Sequence, residues 1–110
     1  MSNQNIQISD PLPQGKMPFD QAAIRLHLDD DVAIVKYTLA AGTILERDHD
    51  NPPIAVKQLV TSGHKIALRD IQTGDPIHRY GQIIGFATNT IQAGEHVHTH
   101  NLSVQDFSRD

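Results

Sequence analysis

Ile71-Gln72-Thr73-Gly74-Asp75-Pro76-Ile77 carries the building rule of this chain. Leu39-Ala40-Ala41-Gly42-Thr43-Ile44 and Ile91-Gln92-Ala93-Gly94-Glu95-His96-Val97 follow the same plan. An apolar anchor precedes two small or polar residues, then a glycine, then a new apolar run. Such a pattern predicts a tight turn with positive φ at the glycine, held down by the anchor, that launches a strand. The unequal spacing of the three copies excludes a stacked solenoid and predicts one turn type reused in a folded-over β structure.

Outward from these turns the pattern stays β. Residues 23–28 alternate, with Ile24, Leu26 and Leu28 on one side and Arg25 and His27 on the other, and predict a half-buried strand. Residues 32–37 form an almost continuous apolar run, a second strand. Residues 46–53 are charged and end in Asn51-Pro52-Pro53, a loop. Residues 54–60 suit a helical turn or a strand equally. Residues 64–68, 77–80, 83–87 and 95–101 complete the set of strands. No segment holds a helical period for ten residues, so the class is all-β. Residues 1–22 are polar, with Pro11 and Pro13 and no sustained period, and predict a flexible N-terminal arm. The compact domain is expected over 23–104, with a C-terminal tail at 105–110.

Composition bounds the function. The 110 residues make one domain. Thirteen acids against nine bases give a net charge of -4, which argues against a general nucleic-acid binder. No run approaches the roughly 18 apolar residues of a membrane span, and the N-terminus lacks a signal pattern; a cytoplasmic location is the expectation. The absence of cysteine removes disulfides, thiolate metal sites and thiol nucleophiles. Seven histidines outnumber the five aromatic rings.

Three of those histidines lie together in Gly94-Glu95-His96-Val97-His98-Thr99-His100-Asn101. On a regular strand His96, His98 and His100 share one face, with neighbours roughly 6.7 Å apart and the outer pair about 13 Å apart. Two imidazoles can grip one metal ion at the shorter spacing; a three-histidine site needs the strand to break. Metal binding, another active-site role, and a merely packed strand edge all fit this stretch. In Ser62-Gly63-His64-Lys65, the adjacent His64 and Lys65 face opposite ways on a strand. Arg79 can clamp a carboxylate with two hydrogen bonds, and the Tyr80 phenol can donate to a ligand or cap the core. Asp29-Asp30-Asp31 lacks the alternating ligands of a calcium loop and predicts a solvated turn.

Taken together, the segment Gly63-His64-Lys65 through Arg69-Asp70-Ile71, then Gly74, then Arg79-Tyr80-Gly81-Gln82-Ile83-Ile84-Gly85, then residues 91–101 resembles the N-terminal module of the altronate/galactarate dehydratase family. Val32-Ala33-Ile34-Val35 followed by Leu39-Ala40-Ala41-Gly42-Thr43 fits the opening strands of that module. The resemblance implies a SAF-type β-clip, a bent, hairpin-rich structure folded on itself. It implies a lyase that removes water from a sugar acid or related hydroxy acid with a divalent metal, commonly iron(II), which a large catalytic partner subunit is expected to hold in the main. A related branch, sulfolactate sulfo-lyase, expels sulfite instead. The His-x-His-x-His-Asn ending is closer to the altronate and sulfolactate branches than to the galactarate branch.

On this basis His64, His98 and His100 are expected to serve catalysis, and His96, His98 and His100 to hold metal. Lys65, Arg79, Tyr80 and Asn101 are expected to bind substrate. The competing expectations are a non-catalytic carbohydrate- or protein-binding clip and a free-standing metal enzyme. A lone clip encloses little volume for a water-excluded site, which weighs against the last. Homo-oligomerisation is compatible with the histidine-lined edge.

Overall fold

Four turns, not three, organise the fold. The structure, a computed structural model, describes residues 15–48 and 50–106. At Gly42, Gly74 and Gly94 φ is 93°, 90° and 93°. The residue after each glycine donates its N–H to the carbonyl three residues back: Thr43 to Ala40, Asp75 to Gln72 and Glu95 to Gln92. A positive φ at the third residue of a bonded four-residue turn is the signature of a type II turn. Val60-Thr61-Ser62-Gly63-His64 is a further copy: φ at Gly63 is 86° and His64 donates to Thr61. All four anchors, Leu39, Val60, Ile71 and Ile91, are buried, and so is the third residue after each glycine: Leu45, Ile66, Ile77 and Val97.

The turns come in pairs. Leu39 bridges Val60, and Ile71 bridges Ile91, each antiparallel. Thirty-two residues separate Leu39 from Ile71, and thirty-one separate Val60 from Ile91. The spacings are therefore those of two similar halves. Each half has its own apolar cluster, one containing Leu39, Leu45, Ile54 and Val60, the other Ile71, Ile77, Ile91 and Val97.

The strands are short: β1 (Lys16–Pro18), β2 (Ala23–Ile24), β3 (Val32–Val35), β4 (Ile44–Glu46), β5 (Ile54–Ala55), β6 (Lys65–Ala67), β7 (Pro76–Arg79), β8 (Gln82–Ala87), β9 (His96–Val97) and β10 (Leu102–Ser103). They form sheets ordered β1-β4-β5, β10-β8-β7 and β2-β3-β6-β9. All neighbours are antiparallel except β1 and β4. The segment 54–60 resolves as a two-residue strand and a bridge rather than a helix.

Several sequence expectations change. Within the expected arm, Lys16–Pro18 pairs with β4, and the single-turn α1 (Phe19–Ala22) buries Phe19 and Ala22; residues 1–14 lie outside the described residues, as do His49 and 107–110. Apolar side chains and a free edge on β4 draw this segment in. The strand expected over 23–28 stops at Ile24, leaving Leu26 and Leu28 exposed. The stop has a cause in the acidic turn, where Asp29 is exposed as expected but Asp30 and Asp31 are not. Asp30 and Asp31 are 6% and 4% exposed. Asp31 accepts from Arg69 Nε at 2.6 Å and from both the backbone N–H and Nδ1 of His78 at 2.8 Å. Asp30 accepts from the N–H groups of His27 and Gly81. Buried carboxylates need such donors. They tie the start of β3 to β6 and to the β7–β8 hairpin.

Candidate functional site

The β6–β9 pair builds the histidine cluster. Its register sets Lys65 opposite Val97 and Ile66 opposite His96; one step further places His64 opposite His98. After Val97 the chain leaves the strand. Asn101 donates its backbone N–H to His98 O, and its buried side chain donates to His96 O at 2.8 Å and accepts from His98 N at 2.9 Å. Asn101 thus shapes the loop and is committed to it. The turn replaces the extended spacing expected for His96 and His100 by a ring-centroid distance of 5.2 Å.

His64, His96 and His98 each offer a nitrogen within 4.8 Å of the others. His64 Nδ1 lies 2.9 Å from His96 Nε2, so one proton is shared between them. The same separation suits two neighbouring ligands on one ion with metal–nitrogen bonds of about 2.1 Å. The donor set therefore fits a divalent transition metal, and imidazole suits iron, zinc, copper and nickel alike. His100 packs beside His96 with the ring planes tilted by 42°, but lies outside this set. Burial, then the charges of His100, His64, His98 and Lys65, hold the His96 imidazolium below its ordinary pKa of 6.5. A neutral imidazole is the form that binds metal.

Next to the cluster lies a hollow of about 290 Å³ lined by Lys65, Arg79, Ile84, His98, Thr99 and Leu102. Asn101 is not among its lining residues. Lys65 and Arg79, placed by the sequence on separate segments, meet there, and His98 belongs to both sites. Burial first, and then the Arg79 charge, lower the Lys65 ammonium from its usual 10.5. Tyr80 is exposed at the hairpin tip, with the Arg79 guanidinium carbon 4.6 Å from its ring centre. Two other hollows, about 450 and 580 Å³, flank the 46–53 loop and contain none of the expected site residues.

The nearly all-strand architecture is consistent with the SAF β-clip of the family that comparison with known proteins identifies. Residues 21–105 match the altronate/galactarate dehydratase SAF domain. The chain belongs to that family. An altronate dehydratase of Escherichia coli is 45% identical over 78 residues, 71% of this chain and 15% of that protein. The alpha subunit of (2R)-sulfolactate sulfo-lyase from Chromohalobacter salexigens is 31% identical over 67 residues, covering 61% of this chain and 70% of that subunit. Its counterpart from Paracoccus pantotrophus is 33% identical over 62 residues and covered over 92% of its length. This SAF chain thus spans about 15% of the altronate dehydratase and most of the sulfo-lyase subunits. No described helix is long and apolar enough to cross a membrane.

Proposed function

We propose that this chain is the small module of a hydroxy-acid lyase of the altronate dehydratase kind, working in the cytoplasm against a larger catalytic subunit. The observation that carries the reading is the meeting of three imidazoles with a cationic hollow at His98. His64, His96 and His98 would hold a divalent metal, iron(II) being the family expectation, with His64 in place of the His100 expected from sequence. The partner subunit would supply the remaining ligands. Such an ion supplies positive charge that stabilises a carboxylate as it gains electrons from the neighbouring carbon.

Elimination needs a base to take the proton α to the carboxylate and an acid to protonate the departing β-hydroxyl, which leaves as water. His100, beside the cluster and outside the ligand set, suits a proton-transfer role near neutral pH. Lys65 and Arg79 suit the carboxylate, Tyr80 supports Arg79, and Asn101 acts through the loop it holds. A second reading, sulfite expulsion by a sulfo-lyase small subunit, is favoured by the share of those subunits that this chain covers. The α-proton step is the same; the C–S bond breaks in place of C–O, and its electron pair leaves on sulfite without protonation of a hydroxyl.

The test is reconstitution with the large subunit and iron(II), assayed on altronate and on sulfolactate. His98→Ala is expected to cut turnover by about 100-fold. Unchanged turnover would sink the assignment. Ligand binding without turnover by the reconstituted pair would favour a non-catalytic clip, and turnover by the chain alone a free-standing enzyme.

A further inference from the structure

Aligned on their turns, the two halves of the chain place Arg47 and Arg79 at the same position, five residues after Gly42 and Gly74. The two arginines are used differently. Arg47 Nε donates to Pro52 O at 2.8 Å, within the long loop that begins there. Arg79 is followed at once by the two-residue turn Tyr80-Gly81, so no such loop reaches it. Its Nε is buried and has no hydrogen-bond partner among the described residues. A buried donor on a charged group without an acceptor is costly unless a ligand completes it.

The same turn is strained. Tyr80 has φ of 59°, a conformation that a bulky side chain adopts only under constraint, and Gly81 comes next at 71°. Buried Asp30 holds the turn by accepting from Gly81 N at 2.9 Å. What the strain positions is the phenol: the Arg79 guanidinium lies over the Tyr80 ring, and its Nη2 donates to the Tyr80 hydroxyl at 3.3 Å. Stacking fixes one face and one edge of the guanidinium. The hollow that Arg79 lines also contains Lys65 and is walled by Ile84 and Leu102. Two cations converge there, and no carboxylate lines it.

We propose that Lys65 and Arg79 form an oxyanion pocket belonging to this chain alone, built to take the head of a small carboxylate or sulfonate, with Tyr80 as the residue that positions Arg79. The proposal rests on the reading of this face as substrate-binding, but it requires neither metal nor partner. The Arg79 guanidinium would donate to one anion oxygen and Lys65 Nζ to another, while Ile84 and Leu102 limit the size of the carbon group attached to that head.

The test is a titration of the full-length, metal-free chain with sodium acetate and, separately, sodium methanesulfonate, at constant ionic strength maintained with sodium chloride. The Arg79 Nε–H resonance is followed by ¹H–¹⁵N NMR. A saturable shift is expected with at least one of the two, and the anion that saturates at lower concentration identifies the preferred head group. Lys65→Met should abolish saturation at the Arg79 Nε–H, and Arg79→Lys, followed through the backbone amides of Ile84 and Leu102, should abolish it there. Tyr80→Asn suits the left-handed turn and should melt no lower than the parent, yet bind the anion about threefold more weakly through loss of the stacked ring. A linear response to both anions in the parent would overturn the pocket. Undiminished affinity in Tyr80→Asn would overturn the positioning role. Anion binding by a chain whose reconstituted complex lacks lyase activity would leave the pocket standing and remove the lyase reading; activity without anion binding would do the reverse.

Discussion

Asp31 shows how little a single residue's identity reveals of its surroundings. Three consecutive acids read as a solvated turn, yet Asp31 is almost fully buried and bonds to Arg69 and His78, thirty-eight and forty-seven positions away. Nothing local in the sequence marks those donors. Asp31→Asn should destabilise the fold by about 2–3 kcal/mol, measured by urea unfolding, because a charged acceptor of several bonds is lost from a buried position. Two other residues set the acid response. The lowered His96 value means that the unfolded chain takes that proton first, so stability falls as pH drops below about 6.5 toward the folded value. For Asp30, burial pushes upward, but backbone N–H groups of Gly81, Tyr80 and His27 outweigh it, and the carboxyl ends below 3.8. Its contribution is present above that pH and is lost as pH falls through the folded value. A stability profile in acid should therefore decline in two stages, and His96→Gln should remove the first alone.

Among the elements, the turns were the most legible and the histidine loop the least. Three of the four turns announce themselves by an apolar anchor and a glycine. The copy at Val60 was hidden because its anchor ends the segment 54–60, whose periodicity is ambiguous, although the glycine at the right distance from Val60 was available as a signal. The histidine stretch stands out as a site, but its shape was not legible. The break after Val97 depends on Asn101 folding back onto His96 and His98, and the recruitment of His64 depends on strand register, a long-range property. The glycines of two turns separate backbone from steric cost. At Gly63, with φ of 86°, an added Cβ meets nothing within 4 Å; at Gly94, with φ of 93°, it would lie 1.9 Å from Ala55 O. Gly63→Ala should cost about 1 kcal/mol, the price of the left-handed conformation alone. Gly94→Ala should cost about 3 kcal/mol or more, because backbone must move. Equal melting temperatures for the two variants would contradict this account.

At the scale of the molecule, two half-structures share their strands. On β3, Val32 packs in one cluster and Ala33 and Val35 in the other; on β6, Ile66 and Ala67 divide likewise. Neither half can open without exposing part of the other. Ile91→Ala, in one cluster, and Val60→Ala, in the other, should each cost about 2–4 kcal/mol and shift the whole transition. Coincident curves from circular dichroism and from Tyr37 and Tyr80 fluorescence are the expected result, and two separated transitions would refute a common core. The all-β class was readable from short apolar runs and turn residues. The pairing of halves was not, because it rests on bridges between anchors twenty and twenty-one residues apart.

The repeated turn also has an evolutionary consequence. Each copy commits its anchor, its glycine and one apolar residue to the core, and leaves the positions on either side of that apolar residue less constrained. The copy at Gly42 carries Ile44 and Glu46 there, while the copy at Gly94 carries His96 and His98. New chemistry can be written onto one copy while its three siblings keep the chain folded. Duplication of such a unit supplies a spare surface on which selection can act before any function is lost.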